Sequence, residues 1–180
     1  TTLLKIIASL YKPQGGRVCI DNMDYEKIPL SIVRNKIAYI PQEPFVFQGS
    51  IIDNILMGEY LTKDKSAIVK EISSILGLYN FEVDHNNDLD FFVQENGNNL
   101  SGGQKQKIGL ARALIKKPKI LLLDEALSNI DKESREEIFD YLYANDNLTI
   151  VSISHDDSVY KYSDFLWKLN NDTINVIKNK

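Results

Sequence analysis

Ile120-Leu121-Leu122-Leu123-Asp124-Glu125 sets four apolar residues directly against two carboxylates. Four apolar residues are too few for a helix and suit a strand buried on both faces, as strands of a parallel sheet are. Just upstream, Pro118 closes a helical pattern that begins at Ser101 and extends to Ile115. Downstream, Asp131 is placed to cap a helix through Ile138, Tyr141 and Leu142, and Leu148 to Ser154 reads as another buried strand, ending at His155. Nearer the start, Lys36 to Ile40 predicts a strand stopped by Pro41-Gln42. Strands alternating with helices imply an α/β fold with a mostly parallel sheet. In such folds ligands lie beyond the carboxyl ends of the strands, where Gln42, Asp124, Glu125 and His155 all fall.

The remaining segments fill in around that sheet. Apolar residues at 3, 4, 6, 7 and 10 predict a core-facing helix from Thr1 to Leu10, ending before Lys12 and Pro13. Gln14-Gly15-Gly16 is a turn, and Val18 and Ile20 alternate with polar neighbours into a short strand that turns at Asp21-Asn22. Cys19, the single cysteine, excludes an internal disulfide, suits a reducing compartment and is read as packing within that strand. Ser50 to Phe81 is helical in pattern and predicts an all-helical insert. Asp84 to Asn99 is a loop by composition, and its His85 is given no role. Phe165 to Leu169 and Thr173 to Ile177, split by Asn170, Asn171 and Asp172, predict a hairpin. The chain has the size and mixture of one globular domain, with no repeat, low-complexity tract or linker. Its 21 Lys and Arg against 25 Asp and Glu give a net charge of -4, so no bulk field draws it to nucleic acid or anionic lipid. Any anion site is therefore local. No apolar run approaches the roughly 20 residues of a membrane span.

Two segments carry candidate chemistry. In Leu100-Ser101-Gly102-Gly103-Gln104, Ser101 can cap the helix while Gln104 reaches back in a capping box, and the glycines let a phosphate approach bare backbone N–H groups. At Asp124-Glu125, adjacent but differently placed carboxylates can divide the work, the first serving a Mg2+ shell and the second orienting a water. Taken singly, each segment leaves a plainer alternative open, an ordinary capped helix or a polar strand end.

Together they resemble the ATPase domain of ATP-binding cassette (ABC) transporters, with the motifs in the family's order. Pro41-Gln42 resembles the Q-loop, Leu100–Gln104 the signature, Ile120–Glu125 Walker B, Ser128–Asp131 the D-loop and His155 the switch histidine. The resemblance implies a P-loop NTPase-like, mostly parallel sheet flanked by helices, with an inserted α-helical subdomain. Residues 1–48 and 116–180 would form the RecA-like core and about 49–115 the subdomain. It implies ATP and Mg2+ as ligands, with Gln42 near Mg2+ and the water, Asp124 on Mg2+, Glu125 on the attacking water and His155 on the γ-phosphate. Ser101, Gly102, Gly103 and Gln104, with Asp131, would serve a nucleotide held by a second ABC ATPase domain in a dimer. Tyr39 to Ile51 (YIPQEPFVFQGSI) and Val93 to Gly97 (VQENG) are similar to the exporter branch. That branch implies a site on the cytoplasmic face of the membrane, with transmembrane-domain contacts near Gln42, Phe45, Phe47 and Glu95. For Phe45 and Phe47 individually, ordinary core packing is the plainer expectation.

The chain departs from the family's pattern in three places. Asn129-Ile130-Asp131 stands where Ala-Leu-Asp is usual, and Gln94-Glu95-Asn96-Gly97 where Gly-Glu-Arg-Gly is usual; both keep the carboxylate. No G-x-x-x-x-G-K-[ST] occurs, and no Gly-Lys pair. Thr1-Thr2-Leu3-Leu4 resembles the residues directly after that lysine in the family, which makes Thr1 a Mg2+-ligating hydroxyl with Thr2 beside it. A plain helix cap is the local alternative. The expectation is the C-terminal part of an exporter's nucleotide-binding domain, binding ATP weakly or not at all by itself. Two other readings are a degenerate, non-hydrolysing half of a heterodimeric transporter and a soluble ABC ATPase. Intact Glu125, His155 and LSGGQ argue against the first, and Glu95 with the FQGSI segment against the second.

Overall fold

A computed structural model describes residues 1–79, 88–170 and 173–179. Its centre is a three-stranded parallel sheet in which β6 (Ile120–Asp124) lies between β3 (Ile37–Ile40) and β7 (Thr149–Ile153). Ile40 pairs with Leu123, and Asp124 with Ile153, so the three carboxyl ends are level. The apolar run works as a two-faced strand. Leu122 points to one side, onto Leu4 and Ala8 of the first helical segment, while Leu121 and Leu123 point to the other, among Ile40, Ile108, Leu110, Ile138 and Leu142. All three leucines are at most 1% exposed, a burial that stabilises by roughly 1.5–3 kcal/mol per side chain. β7 differs from the buried strand expected there. It borders only β6 among the described strands, and its residues are half-buried or exposed.

Helices cover both faces. α1 (Thr2–Ile7) is shorter than its apolar pattern predicts, because Ser9 takes a left-handed φ of 56° and turns the chain, leaving Leu10 exposed. β1 (Cys19–Ile20) and β2 (Met23–Asp24) form a small antiparallel pair followed by α2 (Leu30–Lys36). The alternation at Val18 and Ile20 is as expected, but it turns Cys19 outward, so the cysteine is exposed to solvent rather than packed in the core.

The stretch expected to be all-helical is more varied. Ser50 and Asp53 form a capping box for α3 (Ile51–Leu56), which ends at Met57 with a left-handed φ of 52° before Gly58. The helical pattern resumes only in α4 (Lys63–Ile75); Phe81 and His85 lie outside the described residues. β4 (Gly49–Ser50) pairs antiparallel with β5 (Phe92–Val93), placing a strand inside the segment read as loop. Both α3 and α4 pack on α5 (Gly102–Ile115). After β6 the chain forms α6 (Lys132–Tyr143), and β8 (Phe165–Asn170) pairs with β9 (Thr173–Lys178) in the expected hairpin.

Asn54 fastens this region. Fully buried, its Oδ1 accepts from the Phe47 N–H at 2.9 Å, and its Nδ2 donates to the carbonyls of Phe47 and Ser50 at 2.8 and 3.1 Å. Asn54→Leu keeps the branched shape and strands the Phe47 N–H and carbonyl, each costing about 1–3 kcal/mol when buried unpaired. The expected result is a urea midpoint lowered by the equivalent of at least about 2 kcal/mol. An unchanged midpoint contradicts the role given to Asn54 in this loop.

Candidate active site

Asp124 is the last residue of the β6 ladder and only 4% exposed. Its two oxygens have separate partners: Oδ1 accepts from the Thr1 hydroxyl at 3.0 Å and Oδ2 from the Tyr39 hydroxyl at 2.8 Å. Burial first, and the Asp124 carboxylate second, push the Tyr39 phenol well above its ordinary pKa. A phenol is protonated at neutral pH even without that shift, so Tyr39 is the donor of this hydrogen bond.

Glu125 leaves the strand by a left-handed turn, with φ of 54°. Its N–H still donates to the Ile153 carbonyl at 3.1 Å, so the β6–β7 pairing carries the turn. A non-glycine residue held there costs of order 1–3 kcal/mol and persists only where its surroundings enforce it. The turn gives adjacent carboxylates different positions. Asp124 stays buried, whereas Glu125 Oε2 accepts from Gln42 Nε2 at 3.1 Å and Oε1 lies 3.3 Å from His155 Nε2. Residues just past the ends of β3, β6 and β7 thus meet at one carboxylate. His155 has an 85% exposed side chain and Glu125 a 26% exposed one, so the group is open to solvent. A cavity of about 510 Å3 opens beside it, bounded by Leu127, Phe139 and Val159 and by Arg135, which pairs with Asp156 at 2.8 Å.

The start of α5 has the expected capping box. Ser101 Oγ accepts from the Gln104 N–H at 3.1 Å, and Gln104 Oε1 accepts from the Ser101 N–H at 2.7 Å. The glycines carry a requirement that the sequence did not disclose. A Cβ on Gly103 would lie 2.6 Å from the Asn129 carbonyl oxygen, and one on Gly102 would lie 3.0 Å from the Asn129 side-chain amide. Asn129 therefore needs Gly103 bare whether or not a ligand is bound. Asp131 caps α6, its Oδ1 accepting from the Ser134 N–H at 2.8 Å, and that hydrogen bond holds its carboxyl below the ordinary range. Thr2 opens α1 as an exposed residue.

Phe45 is 65% exposed, which overturns the core expectation for it, while Phe47 is half-buried. The exposed Glu95 lies in a turn that presses on the same loop, since a Cβ on Gly97 would come within 2.5 Å of Val46. Tyr39 and Gln106 escaped the sequence reading. Gln106 is fully buried on α5, and the available signal was a polar residue on the apolar stripe that continues through Leu110 and Ala113. Among the described residues no three His, Cys, Asp or Glu side chains cluster as a metal site. Hydroxyl and carboxylate oxygens from Thr1 and Asp124 nevertheless suit Mg2+, which usually takes one or two protein oxygens together with substrate phosphates.

The sequence profile of the family described as ABC transporter matches residues 1–128. The chain belongs to the ABC transporter family. Among ABC transporter relatives, it is 38% identical over 175 residues to the mitochondrial ATP-dependent permease MDL2 of Saccharomyces cerevisiae, covering 96% of this chain and 22% of the permease. It is 36% identical over 168 residues to a putative export ATP-binding/permease protein of Rickettsia typhi, covering 92% of this chain and 29% of that protein. To the sublancin-168-processing and transport ATP-binding protein SunT of Bacillus subtilis it is 33% identical, over 95% of this chain and 24% of that one. A solved bacterial Atm1-family ABC exporter with ATP bound superposes with a TM-score of 0.84 at 30% identity, over 94% of this chain and 29% of that one. The chain thus spans less than a third of the length of these ABC transporter proteins. No helix among the described residues is long and apolar enough to cross a membrane.

Proposed function

We propose that this chain is part of the ATP-hydrolysing domain of an ABC exporter, acting on the cytoplasmic face of the membrane as a dimer that sandwiches two ATP. The observation that carries the reading is the meeting of Gln42 and His155 at the Glu125 carboxylate. Glu125 orients the attacking water and accepts its proton, Gln42 holds that water from the other side, and His155 faces the γ-phosphate. Thr1 and Asp124 would hold Mg2+, which when bound supplies charge neutralisation of the phosphates. Ser101, Gly102, Gly103 and Gln104 present the N-terminal N–H groups of α5 to the nucleotide of the second ATPase domain, where the helix dipole favours an anion. Asp131 supports that surface by fixing the start of α6. No Gly-Lys pair is among these 180 residues.

Residues 1–48 and 116–180 form the nucleotide-facing core in this proposal, and about 49–115 a subdomain whose Glu95 faces the transmembrane domain together with Gln42, Phe45 and Phe47 at the end of the first core segment. The adjoining Val46 and Gly97 support grouping those residues in one contact surface. An intact Glu125 with both its neighbours in place favours hydrolysis over a degenerate, purely structural half.

Asp124→Asn in the full-length protein tests the metal half of the site. It keeps the side chain's size and removes its charge. Mg2+-dependent ATP turnover in proteoliposomes is expected to fall at least about 100-fold. Turnover equal to that of the unmutated protein contradicts the proposal.

A further inference from the structure

Gln106 has no exposed surface, yet its amide is fully engaged with backbone and side chains outside its own helix. Nε2 donates to the Gln42 carbonyl at 2.9 Å and to Ser128 Oγ at 3.2 Å, with the Glu125 carbonyl 3.4 Å away. Oε1 accepts from the Asn129 N–H at 2.9 Å. Two amide hydrogens are thus shared among three acceptors, and one side chain ties the loop after β3, the end of β6 and the segment beyond it to α5. The same stripe of α5 holds that loop twice more. Three residues on, Gly109 lies so close to Pro44 that a Cβ would sit 2.7 Å from its ring; three further, Arg112 donates to the Asn54 and Phe45 carbonyls at 2.9 and 2.8 Å. Of these residues only Gln106 reaches the backbone of both Gln42 and Glu125, the two residues whose side chains meet at 3.1 Å.

We propose that Gln106 is a positioning residue for hydrolysis, holding the backbones of Gln42 and Glu125 in the register at which their side chains meet. It links that register to α5, the helix that starts at Ser101. The inference rests on the hydrolytic reading of Glu125. A buried polar group must have its hydrogen bonds met, and a fully met network specifies one arrangement of the segments it joins. Catalysis is sensitive to such placement, since a shift of about 1 Å in a reacting group can cost on the order of 100-fold in rate. Gln106 has no exposed surface to offer a nucleotide, so ATP affinity is not expected to depend on it.

The test uses the full-length protein in proteoliposomes, with Gln106→Met, Gln106→Glu and Glu125→Gln assayed for kcat and for the KM of ATP. Met has similar length and no amide; Glu keeps an acceptor for the Asn129 N–H but, when ionised, donates to nothing. For both Gln106 variants kcat is expected to fall at least about 10-fold with KM within about twofold. A side chain that served only packing lowers the thermal midpoint without that split. If Glu125→Gln turns over normally, the underlying reading fails. If Glu125→Gln is inactive while either folded Gln106 variant keeps the unmutated kcat, the positioning role alone fails. Loss of folding in both Gln106 variants assigns the network to stability and also overturns the proposal.

Discussion

Glu125→Gln in the full-length protein is expected to lower ATP turnover by about 10²–10⁴-fold while ATP binding stays within a few-fold of the unmutated value. The range is that of a positioned general base. The substitution preserves volume and the backbone turn, and its amide can still meet Gln42, so the surroundings are left in place. What it removes is the group able to take a proton from the attacking water. Nucleotide affinity rests on phosphate and metal contacts made elsewhere, so it survives. The left-handed φ of 54° sharpens the expectation, because that turn brings the Glu125 side chain to Gln42 and His155 while Asp124 stays buried. Unchanged turnover would assign proton acceptance to another group.

The second large effect is expected at Gly103→Ala. The new Cβ would lie 2.6 Å from the Asn129 carbonyl, a backbone atom between Ser128, which Gln106 holds, and the α6 cap at Asp131. Neither side can yield cheaply, so the start of α5 or the Asn129 segment must move. Overpacking of this kind costs typically about 1–3 kcal/mol, which for a chain of this size lowers the thermal midpoint by roughly 2–12 °C. ATP turnover is expected to fall as well, since Ser101 and Glu125 lie on the two segments forced apart. Gly102→Ala is the internal comparison. Its Cβ would meet only the Asn129 side chain, whose amide nitrogen at 3.0 Å can rotate away and whose Cβ at 3.3 Å needs a shift of only a few tenths of an ångström. The expected midpoint loss there is less than half of that at Gly103, and equal losses contradict the packing argument.

Whether a feature is legible in the sequence depends on the kind of force that fixes it. Strong local patterns are readable. The apolar Ile120–Leu123 run, the Ser101 capping box, the Asp131 cap and the hairpin after Phe165 are short-range signals, and each stands where expected. Features set by the tertiary surroundings are not. The helix at the start ends at Ile7 because Ser9 turns the chain, although the apolar pattern runs on to Leu10. The pattern after Ser50 breaks at Met57 for the same reason. The two-residue pairing of Gly49–Ser50 with Phe92–Val93 joins segments far apart in sequence and too short to show period-two alternation. The apolar Ile150, Val151 and Ile153 make β7 read as buried, yet β6 is its only neighbour among the described strands and they are half-covered.

The candidate site divides along the same line. Gln42, Asp124, Glu125 and His155 are legible because parallel strands put their carboxyl ends together. Their mutual geometry is not, since it depends on a backbone turn at Glu125 that no residue type announces. Tyr39 and Gln106 act across long sequence separations, Tyr39 through one hydrogen bond and Gln106 through several, and the only trace of either in the sequence is the polar break in the apolar stripe at Gln106. The glycines of the LSGGQ segment are legible by half. Their freedom to expose backbone N–H groups is a property of the residue type, whereas the closeness of Asn129 requires the fold.

The identity of the nucleotide retained by Glu125→Gln full-length protein is the most direct test of the central reading, that Glu125 takes the proton of the hydrolytic water. The protein is loaded with radiolabelled Mg-ATP, stripped of free nucleotide and quenched in acid, and the bound label is separated. Retained ATP, with ADP appearing only from the unmutated protein, is the predicted result. Bound ADP formed by the variant as fast as by the unmutated protein would contradict it.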